Sequence, residues 1–118
     1  MRKPPIHKSF FNAFRGIFMM VLRERNFRIE VIAFFINLVL IFHFGLSSSD
    51  TVLILVVSFG VLMAEIFNTA IEKICDIIHP EFDERIGYIK DIAAGAVILM
   101  VILAVSVGIS VYWKYFFN

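Results

Sequence analysis

Apolar residues along this chain come in three long blocks, not in the short alternations of a half-buried sheet. The first block runs from about Ile29 to Leu46 and stops at Gly45 and the Ser47-Ser48-Ser49-Asp50 cluster. The second begins at Thr51, stays apolar to Met63 and continues in helical register to Asp76, growing more polar as it goes. The third, Ile92 to Trp113, contains no charged residue. A membrane span needs about 20 residues at about 1.5 Å rise each. The pattern therefore predicts three membrane helices over 29–46, 51–76 and 92–113. The serine cluster caps the second helix, and Tyr112-Trp113-Lys114 anchors the third at an interface.

Residues 8–28 follow a different pattern. Phe10, Phe11, Phe14, Ile17, Phe18, Val21 and Leu22 recur at helical spacing, with Lys8, Asn12, Arg15 and Arg23 between them. This predicts an amphipathic helix lying in the headgroup layer, basic face to anionic lipid and phenyl rings towards the acyl chains. A helix that packs its apolar face on the rest of the chain would show the same periodicity.

Composition makes lipid the expected solvent for all of this. The chain is 60% hydrophobic and 18% charged with a mean hydropathy of +0.88, whereas a soluble domain is nearer half apolar and a quarter charged. Intrinsic disorder, which needs low hydrophobicity and high charge, is excluded. The single cysteine, Cys75, forms no intrachain disulfide and belongs to no paired metal motif. Residues 1–30 carry too many charges for a cleaved secretion signal, so the N-terminal segment is expected to be retained.

The net charge of +1 says little, but its distribution orients the chain. Seven of the eleven Lys and Arg lie before residue 30, and none lies between Ile29 and Glu72. The 45–50 turn has none, and the 73–90 connection has Lys73, Arg85 and Lys90. By the positive-inside rule the N-terminal segment and the 73–90 connection face the cytoplasm, with Lys114 a lone opposing charge.

The chemistry concentrates on the second long helix. At about 100° per residue, Glu65, Glu72 and Asp76 fall within about 40° of one another, with Thr69 beside them and Asn68 about 60° from Glu65. Carboxylates at membrane depth cost about 2.5–3.5 kcal/mol each on insertion scales, and neighbours of like charge repel. Such a stripe survives if it serves a site, or if Glu65 and Glu72 sit at the cytoplasmic end, solvated or paired with Lys73 or Lys90. Two carboxylates and an amide suit Mg²⁺, which binds through one or two carboxylates together with substrate phosphates. Lys90 can meet a phosphate as a point charge at the same membrane surface, and Glu24 adds another carboxylate there.

Together these groups fit phosphoryl transfer to a membrane substrate. In that reaction positioning and electrostatics dominate, and a base accepts the proton of the attacking hydroxyl. Glu65, the deepest carboxylate, suits that base because apolar surroundings make a carboxylate more basic. The chain has no GxxxxGK[ST] loop and no kinase H-R-D or D-F-G set. A small transporter or channel subunit would use the same stripe to conduct protons or cations, and a non-catalytic assembly subunit is a third reading.

Three segments carry a resemblance: Glu24-Arg25-Asn26-Phe27-Arg28-Ile29-Glu30, then Ala64-Glu65-Ile66-Phe67-Asn68-Thr69-Ala70-Ile71-Glu72, then Lys90-Asp91-Ile92-Ala93-Ala94-Gly95-Ala96-Val97. From about Ser9 onward the chain resembles the prokaryotic diacylglycerol kinases, which include the undecaprenol kinases. The resemblance implies an all-α integral membrane protein with three transmembrane helices and an N-terminal surface helix. It also implies a homotrimer in the cell inner membrane, with composite active sites between subunits. Its reaction would pass the γ-phosphate of ATP, with Mg²⁺, to the hydroxyl of diacylglycerol, or alternatively of undecaprenol.

The same resemblance assigns roles. Glu65 would be the general base with Asn68 ordering the site, and Glu24 and Glu72 would hold the metal bridging the ATP phosphates. Asn12, Glu81, Phe82, Asp83, Lys90 and Asp91 would contact ATP alongside Glu24 and Glu72. Ser9, Phe10, Ala13 and Phe14 on the surface helix, Asn26, Phe27, Arg28 and Glu30 at the start of the first span, and Glu65 itself would bind lipid. The sequence departs from the family where members often carry an aromatic at the position of Asn12 and a histidine at that of Asp83.

Overall fold

The computed structural model describes residues 2–117 and is helical throughout, in four elements: α1 (Ile6–Arg23), α2 (Arg25–Phe44), α3 (Ser48–Ile78) and α4 (Glu84–Phe116). Helices α2, α3 and α4 are each long and apolar enough to cross a membrane. At about 1.5 Å per residue, the 31 residues of α3 and the 33 of α4 extend about 46 and 50 Å. Both exceed a hydrocarbon core of about 30 Å. Both are longer than an untilted crossing needs, and Glu72, Asp76 and Lys90 lie towards one polar end of this pair.

The continuous helix expected over 8–28 is interrupted. Glu24 adopts extended backbone (φ −114°, ψ 113°) between α1 and α2, so residues 25–28 begin α2. Arg28 reaches back across this break, its Nη1 donating to the carbonyls of Val21 at 3.0 Å and Leu22 at 3.1 Å. Those are orphan carbonyls at a helix C-terminus, where a cation also meets the negative end of the dipole. Phe27, just before Arg28, is only 2% exposed.

The turn between α2 and α3 follows the chemistry of its residues. Gly45 takes the left-handed conformation (φ 61°, ψ 53°) that closes α2, and the Leu46 N–H donates to the Ile41 carbonyl at 3.1 Å. Ser47 then caps α3, its side chain accepting from the Asp50 N–H at 3.2 Å.

Helix α3 packs chiefly on α4 and less on α2, while α1 touches α2. A core of Ile41, Ile54 and Val111 sits at the 45–50 end, backed by Leu38, Val107 and Tyr112. Two polar clasps hold this region. Tyr112 Oη donates to Asn37 Oδ1 at 2.7 Å, tying α4 to α2. Asp50, 8% exposed, accepts from Tyr115 Oη at 2.8 Å and pairs with Lys114 Nζ at 2.8 Å, joining the start of α3 to the end of α4. Further along, α3 and α4 approach so closely that a Cβ on Gly60 would collide with the Met100 side chain. Most large apolar side chains of the spans face outward, among them Phe35, Phe42, Val56, Leu99 and Ile102. That is the arrangement for lipid solvent, where helices satisfy every backbone polar group internally.

Candidate active site

The polar stripe of α3 faces into the chain. Glu65, Asn68 and Thr69 are 6%, 9% and 7% exposed, on one buried face with Cys75, while Glu72 and Asp76 emerge into the open at the polar end. Asn68 Nδ2 donates to Glu72 Oε1 at 3.4 Å, a long contact one helical turn along. The break between α1 and α2 brings Glu24 to the same place, close enough that the charges of Glu24 and Glu72 both bear on Glu65. Glu30, one and a half turns into α2, lies close enough to Glu65 to repel it. Four carboxylates from α2, α3 and the break thus converge on one region.

Two buried atoms there have no hydrogen-bond partner, Asn68 Oδ1 and Glu30 Oε2. Buried oxygens without partners cost about 1–3 kcal/mol each, which marks the region as shaped for something other than its own packing. Among the described residues, no three His, Cys, Asp or Glu side chains cluster tightly enough to enclose a metal ion by themselves. Glu24 and Glu72 still suit Mg²⁺, because each is held only by a contact of 3.4 Å and Mg²⁺ takes its remaining ligands from phosphates and water.

The lysines pair with carboxylates other than Glu65 and Glu72. Lys73 Nζ lies 3.4 Å from Glu24 Oε1, and Lys90 Nζ lies 2.6 Å from Asp76 Oδ1. Neither lysine pairs with Glu72. A cleft of about 390 Å³ gathers Glu81, Phe82, Asp83, Lys90 and Asp91, so five of the expected nucleotide contacts share one concavity at the start of α4. Within it Asp83 caps α4 and receives three donors from Arg85, the backbone N–H at 2.8 Å and the guanidinium at 3.2 and 2.9 Å. The Arg85 donors hold the Asp83 carboxyl well below the usual carboxylate range. Asn12 is exposed on α1 and lines none of this cleft.

The expected lipid contacts divide. Ser9, Phe10, Ala13, Phe14 and Asn26 are exposed, and Glu30 is half-buried. Phe27 and Arg28 are not free in the same way, since Phe27 is packed inside the chain and Arg28 caps α1. Sequence reasoning missed the Asn37–Tyr112 bond and the Lys73–Glu24 pair. The first had a visible signal, one amide in an apolar span, because intramembrane amides find partners on neighbouring helices. The second had none, because it depends on the backbone break at Glu24.

Comparison with known proteins identifies the family. The family model described as prokaryotic diacylglycerol kinase matches residues 11–112. The chain is 32% identical over 105 residues to the undecaprenol kinase of Bacillus subtilis, covering 89% of this chain and 85% of that protein. It is 29% identical over 111 residues to the diacylglycerol kinase of Escherichia coli K12, covering 94% and 91%. The converging acidic groups, the three apolar helices and a match over most of its length place the chain in the prokaryotic diacylglycerol kinase family.

Proposed function

We propose that this membrane lipid kinase transfers the γ-phosphate of Mg-ATP to the hydroxyl of diacylglycerol at the cytoplasmic membrane surface, giving phosphatidic acid. The observation that carries the reading is Glu24 set against α3 beside Thr69 and Lys73, in reach of the charges of Glu65 and Glu72. Family membership also decides between a kinase and a transporter, in favour of the kinase.

In this reading Glu65 accepts the proton of the lipid hydroxyl while its oxygen attacks the γ-phosphorus. The bond from that phosphorus to the β–γ bridging oxygen breaks, and ADP leaves. Asn68, beside Glu65 on the same buried face, orders the base. Glu24 and Glu72 would hold Mg²⁺, which would supply positive charge against the phosphates. Lys90, Asp91 and the Glu81–Asp83 segment would hold ATP, supported by their shared cleft, and Asn12 would meet the nucleotide from α1. Ser9, Phe10, Ala13, Phe14, Asn26 and Glu30 would line the lipid's approach to Glu65.

Helix α1 would lie in the headgroup layer. Phe10, Phe11, Phe14 and Phe18 are 60–68% exposed and α1 buries no residue within the chain, so its apolar face needs lipid against it. The basic N-terminal segment would place that face, and the site, on the cytoplasmic side of the inner membrane. Copies of the chain would assemble as a homotrimer with sites shared between them; Ile77 and Ile78, 82% and 70% exposed at the polar end of α3, offer apolar surface for such a contact.

A second reading, undecaprenol as acceptor, is favoured by the Bacillus subtilis relative. Both lipids present one hydroxyl at headgroup level, so the chemistry is shared and only the groove differs. Purified protein in mixed micelles with labelled ATP and Mg²⁺, offered each lipid in turn, separates them. Faster labelling of diacylglycerol is the expected result. Faster labelling of undecaprenol moves the assignment to the second reading, and labelling of neither rejects both.

A further inference from the structure

Lys73 lies at the acidic convergence, paired with Glu24, and neither the resemblance nor the proposed reaction gives it a role. It follows Glu72 on α3, turned by about 100°, and its ammonium reaches the break between α1 and α2 to lie 3.4 Å from Glu24 Oε1. The pair lines a cleft of about 160 Å³ together with Met20, Arg23 and Thr69. Lys73 is 67% exposed and Glu24 27%, so water screens the contact and its length is outside good hydrogen-bond range. Lys90, the other lysine near the stripe, is held at 2.6 Å by Asp76.

The charges of Glu24 and Glu72 both bear on the buried Glu65, and a cation at Glu24 relieves part of that repulsion. We propose that Lys73 is a displaceable counterion, neutralising Glu24 in the resting protein and swinging onto the nucleotide phosphates when the divalent ion takes Glu24. This inference rests on the assignment of Glu24 as a metal ligand. A divalent ion carries twice the charge of an ammonium and expels it from the carboxylate. The freed side chain has four rotatable carbons and three donors, enough to follow the phosphates as they arrive. Lys73 thereby couples the two binding events: each ligand removes a reason for the lysine to stay on Glu24.

The test uses the full-length protein in micelles and reads equilibrium binding, not turnover. Mn²⁺, a paramagnetic substitute for Mg²⁺, is titrated by electron paramagnetic resonance without nucleotide, and ATP is titrated separately at saturating Mn²⁺. Lys73→Met should tighten Mn²⁺ about two- to fivefold, because a competing cation is gone, and weaken ATP at saturating Mn²⁺ about tenfold, because a charge-assisted phosphate contact is gone. Lys73→Arg should stay close to the parent in both. An unchanged or weaker Mn²⁺ affinity in Lys73→Met overturns the counterion role, and unchanged ATP affinity overturns the phosphate role. Glu24→Gln is the control on the underlying assignment. If it leaves Mn²⁺ binding intact, the metal site itself is wrong; if it weakens Mn²⁺ while Lys73→Met is inert, only the present inference fails.

Discussion

Replacing Glu65 by Gln removes one charge and keeps the volume of the side chain, which makes it the sharpest probe of the chemistry. Glu65 is 6% exposed, so truncation to Ala would open a hole and confuse catalysis with packing. Gln avoids that. A positioned base contributes about 10²- to 10⁴-fold to rate, equivalent to about 2.7–5.5 kcal/mol of barrier at 1.36 kcal/mol per tenfold. The expected loss in kcat is therefore in that range. KM for Mg-ATP should move less than threefold or so, since Glu65 lies deeper than the nucleotide contacts on the 79–91 segment and a positioning loss would appear in both constants. Stability should not suffer, because the substitution removes a charge repelled by Glu24, Glu30 and Glu72. The assay is initial-rate transfer of labelled phosphate to lipid in mixed micelles, with thermal inactivation followed on the same preparations. A kcat within tenfold of the parent, with the protein intact, refutes the assignment of Glu65 as base.

Other consequences are open to measurement. Glu72→Gln should raise the Mg²⁺ concentration needed for half-maximal rate at saturating ATP, and an unchanged metal dependence would remove Glu72 from the ligand set. Tyr112→Phe leaves Asn37 Oδ1 without its donor in the apolar layer; intramembrane bonds of this kind average about 0.6 kcal/mol, so a loss of up to about 2 kcal/mol is expected in the unfolding free energy, with turnover little changed. The Asp83 cap should outlast ordinary carboxylates in acid. Its folded pKa is depressed, so its contribution is complete above the unfolded value of about 3.9 and is lost only as pH falls below that towards the folded one. Carboxyl NMR shifts of Asp83 should stay those of the ionised form at about pH 4, and titration there like a free aspartate would contradict the Arg85 pairing.

How far the chain was readable depended on the range of the interaction involved. Hydrophobic block length and helical period are local properties, so three apolar helices and a terminal helix followed from the order of residues. So did the Gly45–Ser47 turn, since a left-handed glycine and a serine cap act within a few residues of themselves. The acidic stripe was legible too, because helix geometry alone puts Glu65, Glu72 and Asp76 on one side. What spacing could not say is which members would be buried: Glu65 is enclosed by neighbouring helices and Asp76 is not.

Everything that joins distant parts was decided by tertiary structure. Lys73 finds Glu24 because the helix stops at Arg23, where Arg28 folds back on the last carbonyls of α1. Asp50 and Lys114 meet although 64 positions apart, because α3 and α4 run antiparallel and bring their ends together. An ionised side chain in or near a membrane must find a partner or water, and the order of residues names the candidates without choosing among them. Packing makes the choice: it leaves Lys73 and Lys90 on Glu24 and Asp76, and Glu72 with only a long amide contact beside the buried Glu65.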